Sequence, residues 1–177
     1  MDIAFEPVST PEEQTALACL AEEIWHEYWP GIIGADQTDY MIERFQSLAA
    51  IERDMAEGDY EYWFIIATEE QDGVCHQHVV GYTGGHDEPE TNRFFISKIY
   101  LLASERGRGF ASKTIAFYEN LCRERGRRAM YLTVNKGNVL GIRAYKGKGF
   151  ETIDAVETDI GGGFIMDDYI MEKVVDA

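Results

Sequence analysis

Residues 93–134, RFFISKIYLLASERGRGFASKTIAFYENLCRERGRRAMYLTV, constrain the fold more than any other stretch of the chain. The apolar run at 93–102 reads as a central strand, and it feeds directly into a corner where Gly107 and Gly109 flank Arg108. Beyond the corner, Ala111, Ile115, Tyr118, Leu121 and Cys122 repeat at helical spacing to about Arg125, and Gly126 suits the left-handed residue that ends a helix. RAMYLTV then reads as a second strand. A strand, a helix and a strand in one sheet connect almost only as a right-handed crossover, with the two strands parallel. The chain is thereby committed to an α/β architecture.

The flanking segments extend that frame. Thr10-Pro11-Glu12-Glu13 combines a hydroxyl N-cap, a proline at the first helical position and acids in the first turn, so a helix is predicted from about Pro11 to Tyr28. WPGIIGADQ breaks it, and Tyr40, Met41, Phe45, Leu48 and Ile51 predict a second helix over 38–55. YEYWFIIAT, QDG and VCHQHVVGYTGG read as a strand, a hairpin turn and its partner; HDEPETN reads as a polar turn. A short helix is expected after Asn138, and GFETIDAVET, GGG and FIMDDYIMEKV predict a terminal antiparallel pair. No repeat or linker interrupts the 177 residues, so 1–177 is read as a single domain.

The corner carries chemistry. Glycines at 107 and 109 permit close backbone approach to a ligand, and the helix starting near Phe110, with Ala111 and Ser112 in its first turn, presents unpaired amides and a positive dipole end. Arg106 and Arg108 add charge, so the corner is suited to a pyrophosphate. A dinucleotide fingerprint fits poorly, because Ser112 occupies the third glycine position and the next strand ends without a ribose-binding acid. A Walker loop fits worse, since GxxxxGK[ST] spacing is absent. Coenzyme A is the third candidate.

Arg106-x-x-Gly109-x-Ala111 resembles the R/Q-x-x-G-x-G/A loop of the GNAT acetyltransferase superfamily, in the place that fold gives it. NVLGIRAYKGKGF, with Asn138, Tyr145 and the pair Gly149-Phe150, resembles the superfamily's second motif, although Gly141 stands where alanine is usual. The resemblance implies a mixed, mostly antiparallel sheet with a splayed parallel pair and flanking helices. It implies acetyl-CoA as cosubstrate, its pantetheine arm bonded to backbone at Ile99, Tyr100 and Leu101 and its pyrophosphate over Arg106, Gly107, Arg108, Gly109, Phe110, Ala111 and Ser112. Asn138 would lie beside the cofactor, and Tyr145 would be the general acid that protonates the departing thiolate. The chain ends resemble a bacterial branch that includes polyamine acetyltransferases, which implies an acceptor pocket involving Tyr28, Trp29, Asp167 and Asp168. That branch's resemblance leaves room for a homodimer.

Charge supports a division of labour. The formal net charge is −16, yet 12 of the 16 Lys and Arg residues lie between Lys98 and Lys148. The acidic remainder disfavours nucleic acid and anionic membrane and suits a small cationic amine. Expected, then, is a soluble, cytoplasmic N-acetyltransferase acting on a small, polyamine-like amine; a peptide acetyltransferase and a non-catalytic acyl-CoA sensor are the alternatives. His76 and His78 lack a visible third ligand, so no metal is expected, and Cys19, Cys75 and Cys122 read as buried reduced thiols. The usual strand carboxylate is missing at Ser97 and Lys98, leaving Glu27, Glu61, His26 or a water chain as base.

Overall fold

A computed structural model describes residues 2–175. Its first strand, β1 (Asp2–Pro7), is not anticipated above: it is a short edge strand in which only Ile3 and Phe5 turn inward. Helix α1 (Pro11–Tyr28) starts as predicted. The Thr10 hydroxyl accepts from the Glu13 amide at 3.2 Å, and the Glu13 carboxylate accepts from the Thr10 and Ser9 amides at 2.9 and 2.8 Å.

The break after α1 holds a short helix, α2 (Pro30–Ile33), and the single helix expected over 38–55 is two pieces, α3 (Ala35–Phe45) and α4 (Leu48–Glu57). Gly34, at φ 86°, turns the chain between the first two, and Ser47 restarts it between the last two by accepting from the Ala50 amide. The resulting bends carry these helices over one face of the sheet, where Trp25, Trp29 and Met41 pack together with Ile160.

Strands β2 (Glu61–Gln71), β3 (Val74–Glu88) and β4 (Arg93–Leu101) form an antiparallel meander. A one-turn 3-10 segment, Ala103–Glu105, leads to α5 (Phe110–Arg125), β5 (Ala129–Asn135), α6 (Val139–Lys146), β6 (Glu151–Gly161) and β7 (Phe164–Val174). The sheet runs β1-β2-β3-β4-β5-β7-β6, and only β4 and β5 are parallel. The crossover is therefore as expected. Helix α5 covers the face opposite α1, burying Ile115, Tyr118 and Cys122 against Phe94, Met130 and Leu132.

Two details position the site. The β4–β5 ladder holds only from Arg93↔Ala129 to Phe95↔Tyr131, and the strands part beyond it. The β3–β4 register also slips, Gly85 facing Ile96 and Gly84 facing Lys98, which bulges β4 at Ser97, just past the last residue paired with β5. Among the thiols only Cys122 is buried; Cys19 and Cys75 are exposed. No helix among the described residues is long and apolar enough to cross a membrane.

Candidate active site

Where β4 and β5 part, peptide groups that a neighbouring strand would satisfy are left along the β4 edge. A cavity of about 920 Å³ opens there. Ile99, Tyr100 and Leu101 line it from β4, and Leu132, Thr133, Val134 and Asn135 from β5.

The glycine corner forms one rim. Gly107 and Gly109 adopt φ 78° and 86°, conformations that side chains with a Cβ rarely take, and both line the cavity with Phe110, Ala111 and Ser112. The Ser112 and Lys113 amides bond back to the Gly109 carbonyl at 3.1 and 3.2 Å. The amides of Phe110 and Ala111, the first two of α5, have no partner within the helix. Arg106 also lines the cavity: its Nε donates to the Leu101 carbonyl at 3.2 Å, its guanidinium lies 4.7 Å from the centroid of the Tyr28 ring, and it pairs with Glu27. Arg108 stands apart from the rest of the corner, bonding outside the cavity to Glu105 and Glu69.

Helix α6 forms the opposite rim. Asn138 Oδ1 accepts from the Gly141 amide at 3.0 Å, capping the helix, and from the Tyr28 hydroxyl at 2.8 Å. This explains the glycine at 141: a Cβ there would lie 2.8–3.0 Å from the Asn138 amide group. One turn on, the Tyr145 ring packs edge-on to Phe150, 5.7 Å between centroids, while among the described residues its hydroxyl has no hydrogen-bond partner. Burial, reinforced by Tyr28, pushes its pKa up to about 12, so the phenol keeps its proton through the neutral range.

The cavity floor lies under α1, α3 and α4. Trp25, Tyr28, Trp29, Met41 and Phe45 give it an aromatic and apolar lining. Lys98 is 5% exposed and lines the same wall: its ammonium donates to the Phe45 carbonyl at 3.2 Å and to the Tyr62 hydroxyl, and it lies 3.6 Å from Asp54. Burial lowers its pKa to about 8 against the opposing pull of Asp54. Sequence reasoning missed this pair, since nothing local links residues 54 and 98. The aspartates read together in sequence separate in space. Asp168 lines the cavity, whereas Asp167 faces the other way on the strand and pairs with Lys136. Glu27, Glu61 and His26, the other candidate bases, lie outside the lining and pair with Arg106, Arg125 and Asp39.

Two halves meet in this one space: a corner and open strand edge fit for a phosphorylated, amide-bearing arm, and an aromatic chamber with a free phenol between them. The family model for the acetyltransferase (GNAT) family matches residues 21–150. The chain belongs to the GNAT acetyltransferase family.

Solved GNAT structures share the whole fold. The PaiA N-acetyltransferase from Thermoplasma acidophilum in complex with coenzyme A is 20% identical with a TM-score of 0.72, over 98% of this chain and 99% of that one. YncA from Salmonella typhimurium, a GNAT relative solved with its cofactor acetyl-CoA, is 18% identical with a TM-score of 0.62, over 100% and 95%. The spermidine/spermine N-acetyltransferase SpeG from Vibrio cholerae is 13% identical with a TM-score of 0.62, over 98% and 95%. No individually curated protein sequence matches the chain. Among the described residues no group of three or more His, Cys, Asp or Glu is placed to hold a metal ion.

Proposed function

We propose that this GNAT enzyme transfers the acetyl group of acetyl-CoA to the primary amine of a small cationic acceptor by direct attack. The observation that carries the reading is the single cavity shared by the glycine corner, the open β4 edge and the unpartnered Tyr145 hydroxyl. The corner residues fit the cofactor: the Phe110 and Ala111 amides and Arg106 would meet the pyrophosphate, and the β4 edge at Ile99, Tyr100 and Leu101, which has no β5 partner, would bond the pantetheine amides. Acetyl-CoA supplies an activated thioester. The protein holds the amine against it, excludes water, and gives the leaving sulfur the Tyr145 proton.

The acceptor's charge is argued from its half of the cavity. Asp54 is neutralised by Lys98, leaving Asp168 as a carboxylate that lines the same cavity as the Trp25, Tyr28 and Trp29 rings, a setting that favours an ammonium group. Polyamines are thus the first acceptors to try, and SpeG, a spermidine/spermine N-acetyltransferase, gives the same starting point. The test is release of free CoA thiol from acetyl-CoA across spermidine, spermine, amino acids and peptides. An amine-dependent rate that is highest with a small cationic amine is expected. Tight CoA binding with no rate for any amine would overturn the reading in favour of a sensor.

Gly109→Val probes the corner. A Cβ at residue 109 meets nothing within 4 Å, so the cost is conformational. Forcing a β-branched residue to φ 86° costs about 1–2 kcal/mol, and the corner should relax away from its cavity-facing form. CoA affinity measured by calorimetry should fall roughly tenfold. Unaltered affinity would place the pyrophosphate elsewhere.

A further inference from the structure

We infer that Asp168 is the general base that deprotonates the acceptor ammonium, a role that rests on the transfer reading above and adds to it a residue from a strand where the motifs do not reach. The first observation is elimination by geometry. The cavity lining holds two carboxylates, Asp54 and Asp168. Asp54 accepts from the Tyr62 hydroxyl at 3.1 Å and faces Lys98 and Arg53 at 3.6 Å, so its charge is already answered. Asp168 is 4% exposed and, among the described residues, its carboxylate has neither hydrogen bond nor ion pair. A buried carboxylate left unpaired in a cavity is costly unless a cation arrives.

The second observation is place. Asp168 sits on β7 opposite Asn135, the last residue of β5, and so lies on the far side of the β4–β5 gap from the open β4 edge. Tyr100 on β4, Tyr145 and Tyr28 line the same cavity as Asp168, so the free carboxylate and the free phenol open on one space. The charged groups that act on Asp168 are Asp167 on its own strand and Lys136 from the segment after β5, and the neutral Tyr100 on β4 feels its charge. Burial, with Asp167 adding to it and Lys136 opposing it, raises the Asp168 pKa to about 6. At neutral pH it is ionised, and its basicity exceeds that of an ordinary aspartate.

The proton accounting closes. Asp168 takes one proton from the bound ammonium, and the freed amine lone pair forms the N–C bond to the thioester carbonyl. The tetrahedral intermediate then breaks its C–S bond, and the thiolate takes the Tyr145 proton. The nitrogen's surplus proton returns to the tyrosinate, and Asp168 passes its own to solvent. One amide, one thiol and one released proton result.

The test measures kcat/KM and kcat against pH with spermidine, or with the fastest amine of the screen if spermidine is not turned over. Wild type should lose kcat/KM below an apparent pKa near 6, the value for the enzyme with no amine bound. Asp168→Asn should lower kcat about a hundredfold and abolish that limb, with CoA affinity unchanged. Asp168→Glu keeps a carboxylate and should keep the limb. Asp167→Asn removes a charge that raises the Asp168 pKa and frees Lys136, so the limb should move to lower pH and persist. A rise in KM for Asp168→Asn with kcat unchanged would make Asp168 a binding group and overturn the base. A wild-type kcat/KM profile flat through pH 6 would do the same even if Asp168→Asn failed to fold. Wild type that transfers to no amine at all would sink the transfer reading itself, a distinct result.

Discussion

Tyr145→Phe is expected to lower kcat about a hundredfold while leaving CoA affinity unchanged. Only the hydroxyl is removed. It has no hydrogen-bond partner among the described residues, so no buried donor or acceptor is orphaned by the change. The ring keeps its contact with Phe150 and its place against the β4–β5–α5 core, so stability should be nearly unaltered. What is lost is the proton given to the leaving sulfur. A thiolate leaves more readily than an alkoxide, which is why the expected loss lies at the lower end of general-acid effects. With the phenol pKa near 12, the wild-type enzyme keeps this proton throughout neutral pH, so Tyr145 should add no basic limb below that range. Steady-state kinetics with calorimetric CoA titration checks both halves of the statement.

Asp54→Ala should be the most destabilising single change in the acceptor chamber. It leaves the Lys98 ammonium, 5% exposed, with the Phe45 carbonyl, the Tyr62 hydroxyl and the Tyr60 and Tyr62 rings but no countercharge in contact among the described residues, and it strips Tyr62 of its acceptor. Breaking a buried pair in this way costs about 3–5 kcal/mol. The lower end applies, since the Asp54 side chain is 22% exposed. For a domain of this size about 3 kcal/mol lowers Tm by roughly 6–12 °C. The pH sign follows from Lys98, whose pKa of about 8 in the folded protein lies below that of an unfolded lysine. The unfolded chain therefore binds that proton more tightly, and the group's contribution to stability rises as pH climbs above 8. The deficit of Asp54→Ala should accordingly be largest near neutral pH and shrink as Lys98 loses its charge. Adding Lys98→Met should recover part of the lost Tm; a double variant no more stable than Asp54→Ala would mean the buried ammonium is not the cause.

The parts of the fold that were legible are those specified by neighbours in sequence. Thr10 to Glu13 makes a reciprocal cap from four consecutive residues, and the crossover from β4 through α5 to β5 is dictated by chirality once its strands are recognised. The split of the predicted 38–55 helix was less visible. Ser47 is an ordinary helix residue by propensity, and only its caught amide marks it as a cap. Strand β1 is two inward residues on an edge, too little pattern to read. In the site, the glycine corner and Asn138 were legible because one local motif fixes each. Arg106 and Arg108 look equivalent in sequence, yet Arg106 lines the cavity beside Tyr28 while Arg108 bonds to Glu105 and Glu69 outside it. Asp167 and Asp168 were named together, and the two-residue period of a strand sends them to opposite faces. The Lys98–Asp54 pair and the isolation of the Asp168 carboxylate depend on segments far apart in the chain, and no local pattern encodes them.

Acetyl-CoA is proposed to enter the gap between β4 and β5 with its sulfur beside Tyr145. A crystal structure with CoA bound tests this most directly. It should show the pyrophosphate over the Phe110 and Ala111 amides, pantetheine amides bonded to the β4 edge at 99–101, and the sulfur within hydrogen-bond reach of the Tyr145 hydroxyl. A sulfur seated away from Tyr145, or CoA bound outside the gap, would contradict it.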